Sequence, residues 1–179
     1  MRNIKFGVLI VALLSLCISC KDDESPSGGS FVVNEQKYGL SAAHTQYAGN
    51  ESDYYGWYLS LSSKGLKFDK SIGEYTGKGE RIEILMWSYG FKGKQLPEGL
   101  YVYPYVDAKN AISLGSVTIG YDSEGGYDEY YEDFSEVYAI VKKKDKTNYE
   151  IEFSFTLEDT QEEITGTYTG PLEMVQFAI

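Results

Sequence analysis

The chain of 179 residues is predicted to fold as an all-β domain, either a single antiparallel β-sandwich or a flattened barrel, with roughly nine strands. Two observations predict this fold. Apolar residues recur at every second position in many segments, which is the period of a strand and not the 3.6-residue period of an amphipathic helix. Glycine is abundant, with 19 residues, and proline is scarce, with 4, a composition that suits hairpins and bulges.

The first half of the folded region carries four predicted strands. In the third of them, Tyr55, Trp57 and Leu59 occupy alternate positions, so their side chains are expected on one face. In the fourth, alternation is expected to separate two sets of side chains onto opposite faces, Ile82, Ile84 and Met86 on one and Leu85, Trp87 and Tyr89 on the other. These four strands are predicted at residues 31–33, 38–47, 55–61 and 82–89.

The second half continues the same pattern. A Leu-Pro-Glu-Gly turn at residues 96–99 precedes the first of its strands. Tyr149, Ile151 and Phe153 alternate with polar residues, as a half-buried strand requires, and the polar loop 158–161 connects this strand to the next. The predicted strands are residues 100–105, 114–121, 137–143, 149–157, 164–170 and 172–177.

The N-terminal segment is predicted to be a cleaved secretory signal. Arg2 and Lys5 make its start basic, residues 6–16 are apolar, and Ser19 places a small residue directly before Cys20, as cleavage requires. The apolar run is too short to cross a bilayer, which needs roughly 20 residues. We therefore expect this segment to be removed.

Cys20 is the predicted lipid acceptor. The other cysteine, Cys17, follows the bulky Leu16, which a cleavage site for small residues would reject, whereas Cys20 follows Ser19. The stretch 17–20 resembles the lipobox of bacterial lipoproteins, with a cysteine at the place where leucine is common.

Four residues directly after Cys20, namely Lys21, Asp22, Asp23 and Glu24, resemble the export signal of surface-exposed lipoproteins of the Bacteroidota. This resemblance implies a protein of the outer membrane, exposed on the cell surface and held to the bilayer by acyl chains on Cys20. In the alternative interpretation, the acidic residues only solvate a linker and carry no export information.

The predicted organisation has three parts. Residues 1–19 form the signal peptide, and residues 20–30 form the lipidated N-terminus and a flexible linker rich in serine and glycine. Residues 31–179 form the β domain, whose length is natural for one domain with its own core.

Three of the predicted strands, within residues 137–141, 149–153 and 164–170, are similar to the C-terminal end of uncharacterised lipoproteins from the same bacterial group. Some of those proteins resemble calycin barrels. The similarity covers roughly a quarter of the chain and implies a lipocalin-like barrel as the alternative to the sandwich. The alternation of residues does not choose between the two.

Charge and composition exclude several classes of partner and site. The formal net charge of −11 repels phosphate backbones, so no nucleic acid partner is expected, and it also opposes adsorption to anionic lipids.

With Cys20 acylated and Cys17 removed, no thiol remains for a disulfide or a metal site. The single histidine, His44, is expected to lie in a strand or turn, bonded to a neighbour or to water. No metal, cofactor or catalytic residue is predicted.

Tyrosine is the chief indication of function, with 17 residues. Tyr101, Tyr103 and Tyr105 are expected on one face of a strand, spaced by about 7 Å, where they would stack on the sugar rings of an extended glycan. In the alternative interpretation, the tyrosines pack against cross-strand partners on a broad sheet face.

An acidic segment at residues 122–136 has seven carboxylates and no basic residue. Self-repulsion favours a mobile loop there. Calcium would find oxygen ligands, although the spacing does not match an Asp-x-Asp-x-Asp-Gly loop. Tyr127, Tyr130 and Tyr131 in this segment are candidate contact residues for a ligand or a protein partner.

The sequence thus predicts a non-enzymatic, lipid-anchored cell-surface protein that binds a glycan or another extracellular ligand. Two other classes stay open. One is an interaction subunit of an outer-membrane protein complex or an adhesin. The other is a small glycoside hydrolase, which needs only two carboxylates across a cleft. The chain contains no Gly-x-Ser-x-Gly, phosphate-loop or His-Glu-x-x-His motif.

Overall fold

The computed structural model describes residues 27–93, 95–104 and 109–175, and in these ranges the regular structure is entirely β. The prediction of an all-β fold is therefore confirmed. Over the same ranges, no helix is long and apolar enough to cross a membrane. The strands are β1 Gly28–Val33, β2 Gln36–Leu40, β3 Ala42–Glu51, β4 Tyr54–Ser62, β5 Leu66–Asp69, β6 Glu74–Tyr89, β7 Gly99–Tyr103, β8 Asn110–Asp122, β9 Glu129–Tyr131, β10 Phe134–Lys143, β11 Asn148–Leu157 and β12 Glu163–Val175.

Eight of these strands close into a barrel. Their order is β11-β10-β7-β8-β6-β4-β3-β12, and β12 then pairs with β11 to complete the circle. Of the two predicted architectures, the barrel is present and the sandwich is wrong, because a sandwich would leave the two sheets unjoined at their edges. Two neighbouring pairs, β12 with β3 and β7 with β8, are parallel, whereas the sequence pattern predicted antiparallel pairing throughout.

Four further strands lie outside this circle, and the described ranges hold twelve strands where roughly nine were expected. The predicted strand at 38–47 is divided between β2 and β3, and two short strands, β5 and β9, were not predicted. Strand β1 pairs with β12 and carries β2 on its other edge, while β5 pairs with β6 and β9 pairs with β8. Strands β5 and β9 have only four and three residues, too few for alternation to reveal them. Conversely, β12 runs unbroken through residues that were predicted as two strands.

Alternation along each strand decides which side chains fill the barrel. Trp57 and Leu59 of β4 are fully buried, as are Ile82 and Ile84 of β6. Their predicted placement on one face of each strand is confirmed. The remaining core residues with no exposed surface are Phe31, Leu61, Met86, Tyr101, Val117, Ala139, Ile151, Phe155 and Ile164. Side chains therefore occupy the interior of the barrel, and the residues between them face outwards.

Gly166 of β12 lies at a point of close approach in this core. A Cβ atom built there would be 2.3 Å from Cζ of Phe153 and 2.7 Å from Cβ of Phe31. No real Cβ atom tolerates such contacts, so the ring of Phe153 occupies the space that a side chain at residue 166 would need.

A Gly166→Ala variant is expected to lose about 1–3 kcal/mol of unfolding free energy, because overpacking forces the neighbouring ring or backbone to shift. Chemical denaturation of the variant and the wild type measures this loss. In a Phe153→Leu background, the same substitution should cost clearly less, since the smaller side chain leaves room. Equal costs in the two backgrounds would show that the ring is not the cause.

The N-terminal end of the fold begins slightly earlier than predicted. Strand β1 starts at Gly28, which pairs with Thr169 of β12, so the last three residues of the predicted linker, 28–30, belong to the sheet. The predicted lipid acceptor Cys20 and the predicted export signal at residues 21–24 lie outside the described residues.

Candidate functional site

The predicted row of tyrosines on β7 does not form an exposed surface in the described residues. Tyr101 is fully buried, and its hydroxyl group donates a hydrogen bond of 2.8 Å to the carbonyl oxygen of Pro97. Burial also raises the pKa of Tyr101. Tyr103 is 41% exposed at the end of the strand, and Tyr105 lies outside the described residues. Tyr101 is therefore a core residue that a glycan does not reach.

The acidic segment is folded back as a hairpin. Its strand β9 pairs with β8, and the backbone N–H of Asp122 donates a hydrogen bond of 2.7 Å to the carbonyl oxygen of Gly126. Lys78, which lies outside the segment in sequence, forms an ion pair of 2.5 Å with Asp122. Pairing with β8 thus orders a segment for which self-repulsion predicted a mobile loop.

In the part of the chain that is described, no group of three or more His, Cys, Asp or Glu side chains could hold a metal ion.

The three tyrosines of this hairpin differ in exposure. Tyr127 is 59% exposed, and its ring centroid lies 5.3 Å from that of Tyr130, which is 40% exposed. Tyr131 is only partly buried, and its hydroxyl group donates a hydrogen bond to the carboxylate of Glu129. Tyr127 and Tyr130 thus form a small exposed aromatic pair.

A cleft of about 520 Å³ lies on the outer face of the barrel, over strands β3, β4 and β6. We name it the Arg81 cleft after the cation at its centre. Its volume is within the range of small-molecule sites. The residues that line it are His44, Gln46, Tyr58, Ser60, Phe68, Gly73, Glu74, Tyr75, Arg81, Glu83 and Tyr121.

The floor of the Arg81 cleft follows from strand register. His44 of β3 pairs with Ser60 of β4, and Ser60 pairs with Glu83 of β6, so the three side chains form one row across the outer face. Tyr58 and Arg81 lie two residues away on β4 and β6, and alternation turns them to the same face. The strands that bury Trp57 and Ile82 thus present polar residues outside.

One wall of the cleft is the hairpin formed by β5 and the start of β6. It brings Phe68 and Tyr75 over the floor, and the ring of Phe68 lies 4.3 Å from that of His44, measured between centroids. Gly77 makes the hairpin feasible: its φ angle is +95°, and a Cβ atom there would be 2.3 Å from the carbonyl oxygen of Gly65.

Arg81 is held between two aromatic rings. Its guanidinium carbon lies 5.0 Å from the ring centroid of Tyr75 and 5.1 Å from that of Tyr121, which forms the opposite wall. One guanidinium nitrogen lies 3.2 Å from a carboxylate oxygen of Glu83. The Nε atom of Arg81 is buried without a hydrogen-bond partner among the described residues. The cation is thus fixed in position and keeps donor capacity.

His44 and Tyr75 form a buried polar pair beside this cation. The hydroxyl oxygen of Tyr75 lies 3.0 Å from Nε2 of His44. Burial lowers the pKa of His44 to about 4, an effect that Arg81 and Lys70 reinforce and Glu173 opposes. Burial likewise raises the pKa of Tyr75. Both side chains are therefore uncharged at neutral pH. As expected, His44 lies in a strand and is bonded to a neighbour.

Only an indirect signal for this site is present in the sequence. Alternation placed Ile82 and Ile84 on one face, which turns Arg81 and Glu83 to the other. The neighbours that complete the cleft could not be predicted from the sequence. Strand β4 brings Tyr58 beside Arg81 and Glu83, and the short strand β5 forms one wall.

Comparisons of the chain with protein-family models, with curated proteins and with solved structures find no match.

Proposed function

We propose that this chain is a non-enzymatic, lipid-anchored cell-surface protein that binds a glycan in the Arg81 cleft. The observation that carries the proposal is the combination of aromatic rings with a charged pair in one open cleft. A sugar ring has an apolar face and a rim of hydroxyl groups, so it needs a flat aromatic surface beside polar donors and acceptors. Tyr58, 39% exposed, supplies such a surface next to Arg81 and Glu83.

The outer face is favoured over the barrel interior as the place of binding. Inside the barrel, large side chains such as Trp57, Phe153 and Phe155 fill the space, and a ligand would have to displace them. The outer cleft needs no such rearrangement.

Binding without chemistry is favoured by the state of the titratable groups. A general acid or base works best when its pKa lies near the working pH, whereas burial moves the pKa of His44 down to about 4 and that of Tyr75 up. Of the cleft carboxylates, Glu83 is engaged in an ion pair with Arg81. A glycoside hydrolase needs two carboxylates that divide the acid and nucleophile roles, and it is the less favoured proposal.

Titration of the full chain from residue 20, made soluble by Cys20→Ser, with a panel of polysaccharides and oligosaccharides tests the proposal by calorimetry. At least one glycan is expected to bind, and Tyr58→Ala should weaken that binding about tenfold, because stacking on an aromatic ring contributes about 1 kcal/mol or more.

The matched control is Tyr138→Ala, since Tyr138 has a similar exposure of 37% on β10 and does not line the cleft. The proposal would fail if no glycan bound, or if the two variants weakened binding equally. Release of reducing sugar from a bound glycan, lost in Glu83→Gln, would favour the hydrolase instead.

A second candidate function is that of an interaction subunit of an outer-membrane protein complex or an adhesin. The observation in its favour is the exposed pair Tyr127 and Tyr130 on an acidic hairpin, since tyrosine-rich surfaces adapt well to protein partners. Loss of a co-purifying membrane protein in Tyr127→Ala, with Tyr138→Ala unaffected, would support this function.

A further inference from the structure

We infer that the Arg81 cleft selects an uncharged saccharide, whose neighbouring hydroxyl groups bridge Arg81 and Glu83. This inference rests on the proposed glycan binding and adds the chemical class of the ligand. It follows from the way the two charges of the cleft are already arranged.

The first step concerns charge. Arg81 and Glu83 face each other across 3.2 Å, with side chains only 20% and 34% exposed. Separating the pair costs free energy chiefly at Arg81, the more buried partner, which would lose the carboxylate that compensates its charge. A uronate or sulfated sugar that binds Arg81 would either displace Glu83 or place its negative charge beside that carboxylate. A cationic sugar that binds Glu83 would meet the same difficulty with Arg81.

Other charges near the cleft do not change this balance in favour of an anion. Glu74 lines the cleft and adds a negative charge, and Lys70, a further cation near His44, is paired with Glu173. His44 itself is uncharged at neutral pH. The protein as a whole carries a formal net charge of −11. An acidic glycan is therefore repelled both locally and at long range.

The second step concerns hydrogen bonds. The contact between the two side chains joins one guanidinium nitrogen, Nη2, to one carboxylate oxygen, Oε2. The buried Nε–H of Arg81 is out of a ligand's reach, but the two Nη groups carry four N–H donors and a carboxylate has about four acceptor sites, so both side chains retain capacity towards a ligand. A hydroxyl group both donates and accepts, and two neighbouring hydroxyls can therefore bind both side chains without separating them.

The third step concerns the aromatic walls. Tyr75 and Tyr121 each turn a ring towards the guanidinium group, and this contact holds Arg81 in place. Tyr58 lines the same cleft with 39% of its surface exposed, which leaves a ring for the apolar face of the sugar. One part of the cleft thus orients the hydroxyl groups while another receives the ring.

The test compares neutral oligosaccharides of glucose, mannose and galactose with oligogalacturonates of matched length, using the full chain from residue 20 with Cys20→Ser. Neutral oligosaccharides are expected to bind at least tenfold more tightly than the uronates. Glu83→Gln should weaken neutral binding about tenfold and strengthen uronate binding, because Arg81 then lacks its carboxylate partner. Glu152→Gln, at an exposed site on β11 outside the cleft, is the matched control and should change neither.

The double variant Arg81→Gln/Glu83→Gln covers the case in which Glu83→Gln does not fold. It removes both charges together, while Glu74 and the net negative charge of the protein remain. The preference for neutral over acidic sugars should therefore become smaller than in the unsubstituted cleft without reversing. Tighter binding of uronates than of neutral sugars by the unsubstituted cleft would overturn the inference and leave the proposed glycan binding intact. Failure of every sugar to bind would overturn both.

Discussion

In a Cys20→Ser variant, the protein is expected to move almost completely from the membrane fraction to the soluble fraction. Stable anchoring of an acylated protein needs two or more lipid signals. Serine has no thiol, so the thioether that attaches the lipid cannot form in this variant. The acidic character of the chain, with a formal net charge of −11, gives no compensating attraction to anionic lipids. Cell fractionation with labelled palmitate measures both the release and the loss of acylation.

The control is Cys17→Ser, which replaces the second cysteine of the same segment. Because Cys17 follows a bulky leucine, its substitution should leave anchoring and labelling unchanged. The reverse pattern, with release by Cys17→Ser alone, would contradict the assignment of the lipid acceptor to Cys20.

Acidification from pH 7 to pH 4 is expected to reduce the free energy of unfolding by up to about 3 kcal/mol through His44 alone. In the folded protein its pKa is about 4, against an ordinary value of 6.5, so between these values the unfolded chain binds a proton that the folded chain excludes. The stability conferred by the neutral ring is complete above pH 6.5 and is lost as the pH falls through this window.

The groups that face His44 set the size of this effect. Burial under Phe68 and Tyr75 opposes the charged ring, Arg81 and Lys70 add to the opposition, and Glu173 of β12 partly offsets it. The free energy of unfolding should therefore depend less on pH, between pH 7 and pH 4, when His44 is replaced by a residue that does not titrate.

Chemical denaturation of the wild type and of His44→Gln at several pH values measures the contribution. The glutamine side chain does not titrate, so the difference between the two proteins isolates His44 from the carboxylates. For example, Asp145 has a pKa of about 2 and changes the stability of both proteins alike at lower pH. Parallel curves from pH 7 to pH 4 would show that His44 does not contribute.

Much of the fold could be predicted from the sequence, because the period of two is a local property. Trp57 and Leu59 turn inwards as their positions indicate, and so does Ile82. Closure of the barrel could not be predicted, since it depends on the pairing of β12 with β3, which are more than a hundred residues apart. No local pattern specifies which strands become neighbours across such a distance.

The candidate site was harder to predict than the fold. Tyr101 looked suited to a glycan, yet its hydroxyl group bonds Pro97 within the structure. Arg81 and Glu83 showed nothing unusual in sequence, and their meaning depends on Tyr75 and Tyr121, which reach them from other parts of the chain. The number of tyrosines in a sequence does not show which rings are exposed in the fold. A binding site depends on those exposed rings and on which charged side chains lie beside them.

If the proposed anchor at Cys20 holds the N-terminus to a membrane, the position of strand β12 has a mechanical consequence. Along one edge it pairs first with β1, through five residue pairs, and then with β3, while its other edge pairs with β11. A pull on the N-terminal chain would therefore load the contacts of β1 first, and the burial of Phe31 would resist the pull. Because the circle of eight strands does not include β1, the barrel and the Arg81 cleft would stay intact after β1 had detached from β12.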